Sequence, residues 1–339
     1  MLQFAIPTLV PGGARRNRDA AHIAGRGEGC DTLRRIMRLL IVGAGSVGGY
    51  FGGRLAAAGR DVTFLVRARR AEQLAQGLTL RTKGEDTIVP VSVIVGADQA
   101  GPFDAILLAI KAYQLAAAID DIRDRVSADT MIVPVLNGMQ HIDTLRTRFG
   151  AQRVIGGFAQ IVTSLDEEGR IVDQGAFHDL VYGEWDGTRS KRILELDEHL
   201  QGAGFSARLS AHIEREMWEK WAFLSSMAAI TCLMHADVGQ VARTAAGPRF
   251  VQSLFAEVSA VIAAEGQPLS QAFRERTLSL LTDRVSTLTS SMFRDMKAGR
   301  PVEADQIIGD LIARGSAKGV ATPLLYSVLA RLEVYAQQR

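Results

Sequence analysis

The sequence predicts an α/β domain on a parallel sheet, residues 37–210, followed by a mainly α-helical domain, residues 211–339. Three observations carry the prediction. Short apolar runs alternate with helical stretches through the first half, as strands buried on both faces of a parallel sheet do. A glycine pattern, Gly43-Ala44-Gly45-Ser46-Val47-Gly48, stands between the first strand and the first helix. Past residue 211 the short strands give way to long helical periodicity.

The chain has 339 residues, 47% hydrophobic and 22% charged, enough for two domains with their own cores. No apolar run approaches the roughly 20 residues that span a bilayer, so no membrane partner is expected. Its two cysteines, Cys30 and Cys232, have no ligand-like spacing. That opposes a disulfide framework or a zinc site and suits a reducing cytoplasm. Residues 1–36 hold six arginines against three acids, a local +3. The whole chain sums to +2, so residues 37–339 sum to −1, with no basic excess to suggest nucleic acid. The segment 1–36 has Pro-Gly-Gly, scattered arginines and little periodicity, and it reads as a disordered extension. Met37 opens the first clear element.

From Met37, "RLLIV" is a buried parallel strand leading into the glycine pattern. A small-residue helix follows, stops near Gly59, and a second strand, "VTFLV", begins. The G-x-G-x-x-G spacing needs glycine for a tight turn, for close approach of backbone to a pyrophosphate, and for helix against strand. The helix-start N–H groups then face the phosphates. In this strand–helix–strand setting Gly43, Gly45, Ser46, Val47 and Gly48 predict a dinucleotide site of Rossmann type. The end of the second strand, where an acid holds the ribose of NAD, reads Val66-Arg67-Ala68-Arg69-Arg70. Arginine matches a 2′-phosphate, so NADPH is the expected cofactor, with Arg67 as its best single contact.

Two more strands, at 103–110 and 130–136, end in Lys111 and in Asn137-Gly138. Ligands of open α/β sheets collect at the carboxyl ends of the strands. Lys111 and Asn137 therefore belong where a nicotinamide and its substrate would meet, contacting both. Residues 150–185 alternate as further strands and read as antiparallel additions to the same sheet. His141, His178 and the other four histidines form no ligand spacing and read as structural or surface groups; no metal is expected.

The second domain opens with a helix near Ile213. Ile213, Met217, Trp221, Leu224 and Ala228 make one apolar stripe, and Lys220 falls on it. A lysine there either snorkels, pairs with Glu216 or Glu219, or projects into the cleft between the domains as a partly desolvated acid.

The stretches "MRLLIVGAGSVGGYFGGRLAAAG", "LLAIKAYQ", "VPVLNGMQ", "MWEKWAF" and "SSMFRDMKAGRPVEADQIIGDLIARG", in this order, resemble the 2-dehydropantoate 2-reductase (ketopantoate reductase) family. The resemblance covers nearly all of residues 37–339, and the tryptophan-x-lysine helix followed by Ser-Ser-Met and Glu303 is its specific part. It implies an NADPH-dependent reduction of a 2-oxo acid to a 2-hydroxy acid, by default ketopantoate to pantoate in pantothenate synthesis. Lys220 matches the lysine that gives a proton to the carbonyl oxygen, and Glu303 the acid of the same polar site. Asn137 and Ser291 match residues that hold the substrate, and Lys111 the strand-end lysine near cofactor and substrate.

The family's helix continues past the lysine with asparagines one and two turns on. Here Leu224 and Ala228 stand in those places, on the Lys220 face, while Ser225 and Ser226 are rotated well away. Two polar contacts to a hydroxylated substrate are lost, so the sequence predicts the same reaction on a more apolar 2-oxo acid. Reduction of a different carbonyl or an imine stays open, as does a non-catalytic NADPH-binding sensor. The C-terminal helices are amphipathic enough to pack within their own domain or to build a homodimer.

Overall fold

The computed structural model describes residues 36–96, 98 and 101–339. The expected N-terminal extension, Ile36 aside, lies outside the described residues, as does Cys30.

The first half opens with β1 (Arg38–Val42), α1 (Ser46–Ala57), β2 (Asp61–Val66), α2 (Ala68–Gln73) and the hairpin β3 (Leu78–Thr82) and β4 (Glu85–Val89). It continues with β5 (Ser92–Val95), β6 (Ala105–Leu108), α3 (Leu115–Ile122), β7 (Met131–Pro134) and α4 (Gln140–Phe149). The long pair β8 (Gly156–Leu165) and β9 (Ile171–Gly183) follows, then α5 (Lys191–Leu200) and β10 (Ser206–Leu209). Five strands form a parallel sheet in the order β5-β2-β1-β6-β7, the Rossmann-like arrangement the sequence predicts.

Along β1 the side chains alternate between two cores. Leu40 and Val42 face a core with Ile106, Leu108 and Ile132, which runs on into the helical domain through Trp218 and Trp221. Leu39 and Ile41 face the other, with Tyr50, Phe51 and Leu55 of α1 and with Leu180 and Tyr182 of β9. Both faces are thus sealed, which is why these strands read as unbroken apolar runs.

One expectation is corrected. β8 and β9 pair antiparallel with each other but do not extend the parallel sheet. They build a second sheet, β10-β9-β3-β4 with β8 on β9. A single bridge, Ile132 to Val154, links β7 to the chain entering β8. Pro134 gives β7 no N–H to share with a further ladder, so β7 ends its sheet as an edge strand.

The second half is helical: α6 (Ile213–Met234), α7 (Val238–Arg243), α8 (Gly247–Ala264), α9 (Gln271–Leu281), α10 (Ser291–Lys297), α11 (Asp310–Ala317) and α12 (Pro323–Gln337). α6, 22 residues and about 33 Å long, is its centre and packs against α8, α10 and α12. Trp221, Ala222, Ser225, Ser226, Ala229 and Ile230 are buried along it, while Lys220, Phe223, Leu224, Met227 and Ala228 line a cleft. A π-helical turn, Asp305–Gly309, precedes α11. Among the described residues no helix is long and apolar enough to cross a membrane.

Candidate active site

A cavity of about 1140 Å³ runs from the glycine loop after β1, past the carboxyl ends of β2, β6 and β7, to α6 and α10. Every site residue expected from the sequence lines it except Gly48.

At one end, Gly43 has φ +94°, a turn conformation that favours glycine. Gly48 works from behind: a Cβ there would lie 2.1 Å from the Gly43 carbonyl oxygen, so its absence lets α1 approach the loop. Gly45 has open space where a Cβ would stand, and α1 begins there without a side-chain cap. Its first N–H groups are left for a ligand. These features fit a dinucleotide pyrophosphate. Arg67, at the start of α2, is 65% exposed and lies 3.5 Å from Asp121. Arg69 lines the same wall. Arg70 instead holds the backbone. Its Nε donates to the Ala44 carbonyl at 2.9 Å and its Nη1 to that of Gly169 at 2.9 Å, clamping the glycine loop to the β8–β9 turn.

At the other end, Lys220 Nζ donates to Asn137 Oδ1 at 3.0 Å and lies 5.5 Å from the centre of the Phe158 ring. Burial lowers the Lys220 ammonium to about 8, although the Glu303 carboxylate pulls the other way. Neither Glu216 nor Glu219 pairs with it; Glu216 binds Arg208 and Ser210. Glu303 turns instead to Lys111, whose Nζ donates to Glu303 Oε2 at 3.2 Å and to Asp295 Oδ2 at 3.1 Å. The other Glu303 oxygen accepts from the Ala112 N–H at 3.0 Å. Burial works against the Lys111 charge, but the two carboxylates outweigh it and raise its pKa. Lys111 thus ties the end of β6 to α10 and to the segment before the π turn.

The wall between is apolar. Leu224 is half-buried and Ala228 buried, both on the cavity side of α6. Ser225 and Ser226 do not reach it: each hydroxyl donates back to its own helix, to Trp221 O at 2.7 Å and Ala222 O at 2.8 Å. Ser290 caps α10 by accepting from the Phe293 N–H at 3.0 Å, while Ser291, next along, is exposed to the cleft. Among the described residues no cluster of His, Cys, Asp and Glu could hold a metal ion.

The comparisons with known proteins agree with this geometry. The family described as Ketopantoate reductase PanE/ApbA matches residues 39–187, and its C-terminal counterpart matches residues 212–336. The chain belongs to the ketopantoate reductase family. It is 38% identical over 305 residues to an uncharacterized oxidoreductase, YkpB, of Bacillus subtilis (strain 168), spanning 89% of this chain and all of that one. A crystal structure of 2-dehydropantoate 2-reductase from Geobacter metallireducens GS-15 superposes with a TM-score of 0.78 at 28% identity, over 88% of this chain and 99% of that one. D-mandelate dehydrogenase, in a ternary structure with NADH and anilino(oxo)acetate, shares the fold at a TM-score of 0.79 and 22% identity, over 89% of this chain and 99% of that one. The protein is an oxidoreductase acting on a CH–OH group.

Four residues that line or border this cavity do not stand out in the sequence: Arg70, Arg294, Asp295 and Gln306. Arg70 is visible there only as one of three basic residues, and Asp295 only as a surface acid on a short helix. Arg294 shares the Ser291 face of α10, a spacing of three that the sequence does display. Gln306 gives no signal, because its partners lie about 165 residues away.

Proposed function

We propose that this protein reduces a 2-oxo acid of apolar side chain to the 2-hydroxy acid, with NADPH as reductant and Lys220 as proton donor. The observation that carries the reading is Lys220 itself: an ammonium brought down to about 8 by burial and aimed by Asn137 into a cavity lined by Leu224 and Ala228. A lysine so depressed is an effective general acid near neutral pH.

The nicotinamide, when bound, supplies the hydride. Gly43, Gly45, Ser46 and Val47 would hold the dinucleotide, with Gly48 setting the loop from behind. Arg67 supports NADPH over NADH, since no carboxylate stands at the end of β2 to accept from a ribose hydroxyl. As the carbonyl carbon is reduced, its oxygen gathers negative charge, and the Lys220 ammonium stabilises and then protonates it. The Asn137 side-chain N–H groups and the Ser291 hydroxyl are donors for the substrate.

The substrate carboxylate needs a cation, and the charges along the cavity indicate which. Lys111 is matched by Glu303 and Asp295 and Arg67 by Asp121, Arg70 is bound to the Ala44 and Gly169 carbonyls, Arg69 stands beside Arg67 at the glycine-loop end, and Lys220 serves the carbonyl. Arg294 Nη1 donates to the Thr289 carbonyl at 2.8 Å, which fixes the guanidinium beside Ser291. No carboxylate among the described residues lies within ion-pair distance of Arg294. We assign Arg294 and Ser291 to the substrate carboxylate. Glu303 is then a residue that sets Lys111 and the local field, rather than a partner in contact with Lys220. The buried free thiol of Cys232 suits a cytoplasmic enzyme.

The test is NADPH oxidation with a panel of 2-oxo acids, branched and aromatic ones beside ketopantoate, with the 2-hydroxy product identified by chromatography. Turnover of the apolar acids supports the reading. Absence of any turnover by protein that binds NADPH would favour the non-catalytic NADPH-binding sensor instead.

A further inference from the structure

We infer that Gln306, seated between Asn137 and His141, is a positioning residue for the proton donor, holding Asn137 where its side chain accepts from Lys220. This rests on the reading of Lys220 as the acid.

Gln306 is buried, and its Nε2 lies 3.2 Å from the Asn137 carbonyl oxygen and 3.2 Å from His141 Nδ1. A carboxamide nitrogen carries two hydrogens, one for each acceptor. The reversed amide would set its oxygen against the Asn137 carbonyl, so the network fixes the orientation. Asn137 is thereby held at both ends: its carbonyl by Gln306, its side-chain oxygen by Lys220 at 3.0 Å.

Three further features converge on Gln306. It lies in the π turn Asp305–Gly309, a rare element that is frequent at functional sites. The same turn is tied to α6, because Trp221 Nε1, one residue past Lys220, donates to the Ile307 carbonyl at 3.2 Å. Gly138, at φ +83°, lets the two segments meet: a Cβ there would lie 2.7 Å from the Gln306 carbonyl oxygen.

His141 completes the chain. It is wholly buried, and accepting at Nδ1 puts its proton on Nε2, which has no partner among the described residues. A protonated imidazole would turn Nδ1 into a donor facing another donor. Burial, with the Lys220 charge adding to it, lowers His141 to about 3, so the acceptor persists across the working range of pH. Leaving Nε2–H without a partner is costly in a protein interior, and the acceptor at Nδ1 is what the position gains in return.

The test pairs kinetics with NMR on the full chain. Gln306→Met keeps the volume and removes both donors, and kcat is expected to fall about 10- to 100-fold, as for a small misplacement of a reacting group. KM for the 2-oxo acid and the NADPH dissociation constant should change little. His141→Asn, whose side-chain oxygen can take the place of Nδ1, should keep most of the activity, whereas His141→Leu should resemble Gln306→Met. In the wild type, ¹⁵N NMR should show His141 neutral and protonated on Nε2 down to pH 5. Wild-type kcat in Gln306→Met overturns the inference. So does a loss of NADPH binding in step with kcat, which marks a structural role, or an Nδ1–H tautomer at His141. Wild-type turnover by Lys220→Ala overturns the underlying reading instead, and the NMR result separates that failure from a failure of the hydrogen-bond chain.

Discussion

Lys220 on α6 and Asn137 at the end of β7 are joined by a hydrogen bond of 3.0 Å across the cleft between the sheet and the helices. The bond gives a half-buried ammonium a fixed direction, which neither element provides alone. It also explains why an otherwise apolar helix face tolerates a lysine: the charge is desolvated, but its donor is satisfied and its tip opens onto a cavity.

On the proposed reading, Leu224 and Ala228 set the substrate preference. Leu224→Asn and Ala228→Asn together are expected to raise kcat/KM for ketopantoate relative to a branched apolar 2-oxo acid by about 10-fold or more, since a site with hydrogen-bonding groups selects for a hydroxyl. Initial rates over the two substrates check this. An unchanged ratio would mean that these side chains do not touch the substrate.

Arg294 should act through binding. Arg294→Leu is expected to raise KM for the 2-oxo acid about 10- to 100-fold with a much smaller change in kcat, the size of a lost hydrogen bond to a charged group. Arg294→Lys should recover only part, because an ammonium lacks the planar fork that matches a carboxylate. A 2-oxo amide, with no carboxylate, should be turned over alike by the wild type and Arg294→Leu. Steady-state kinetics with both substrates decides the matter.

The three arginines after β2 should separate cleanly. Arg67→Ala is expected to weaken NADPH binding about 10-fold and leave NADH nearly untouched, since it removes a charged contact available only to the 2′-phosphate. Arg70→Ala should weaken both cofactors together, because it releases Ala44 and Gly169 rather than a ligand contact. Fluorescence titration of the two variants with both cofactors gives the comparison.

The features legible in the sequence are local. The glycine loop, the apolar strands and the α6 stripe each depend on residues within one or two turns of each other, so spacing alone reveals them. The cavity face of α6 follows from the same periodicity, down to the rotation that takes Ser225 and Ser226 away from it. Contacts between distant segments are hidden. Glu303 is expected beside Lys220, but its bonded partner is Lys111, 192 residues away, and Asp295 joins that cluster from a helix with no distinguishing pattern. The placement of β8 and β9 in a second sheet is hidden for a similar reason: alternation shows that a strand is half-buried but not which sheet receives it.

The proton-donor role of Lys220 is best tested by the pH dependence of kcat for 2-oxo acid reduction in the wild type and in Lys220→Ala. The ammonium is the active form and its pKa is lowered to about 8, so the wild-type rate should be level below about pH 7 and fall roughly tenfold per unit above pH 8. Lys220→Ala should lose about 100- to 10,000-fold in kcat and show no such limb, while still binding NADPH. A wild-type profile that stays flat to pH 10, or a Lys220→Ala variant that keeps the alkaline limb, would contradict the assignment.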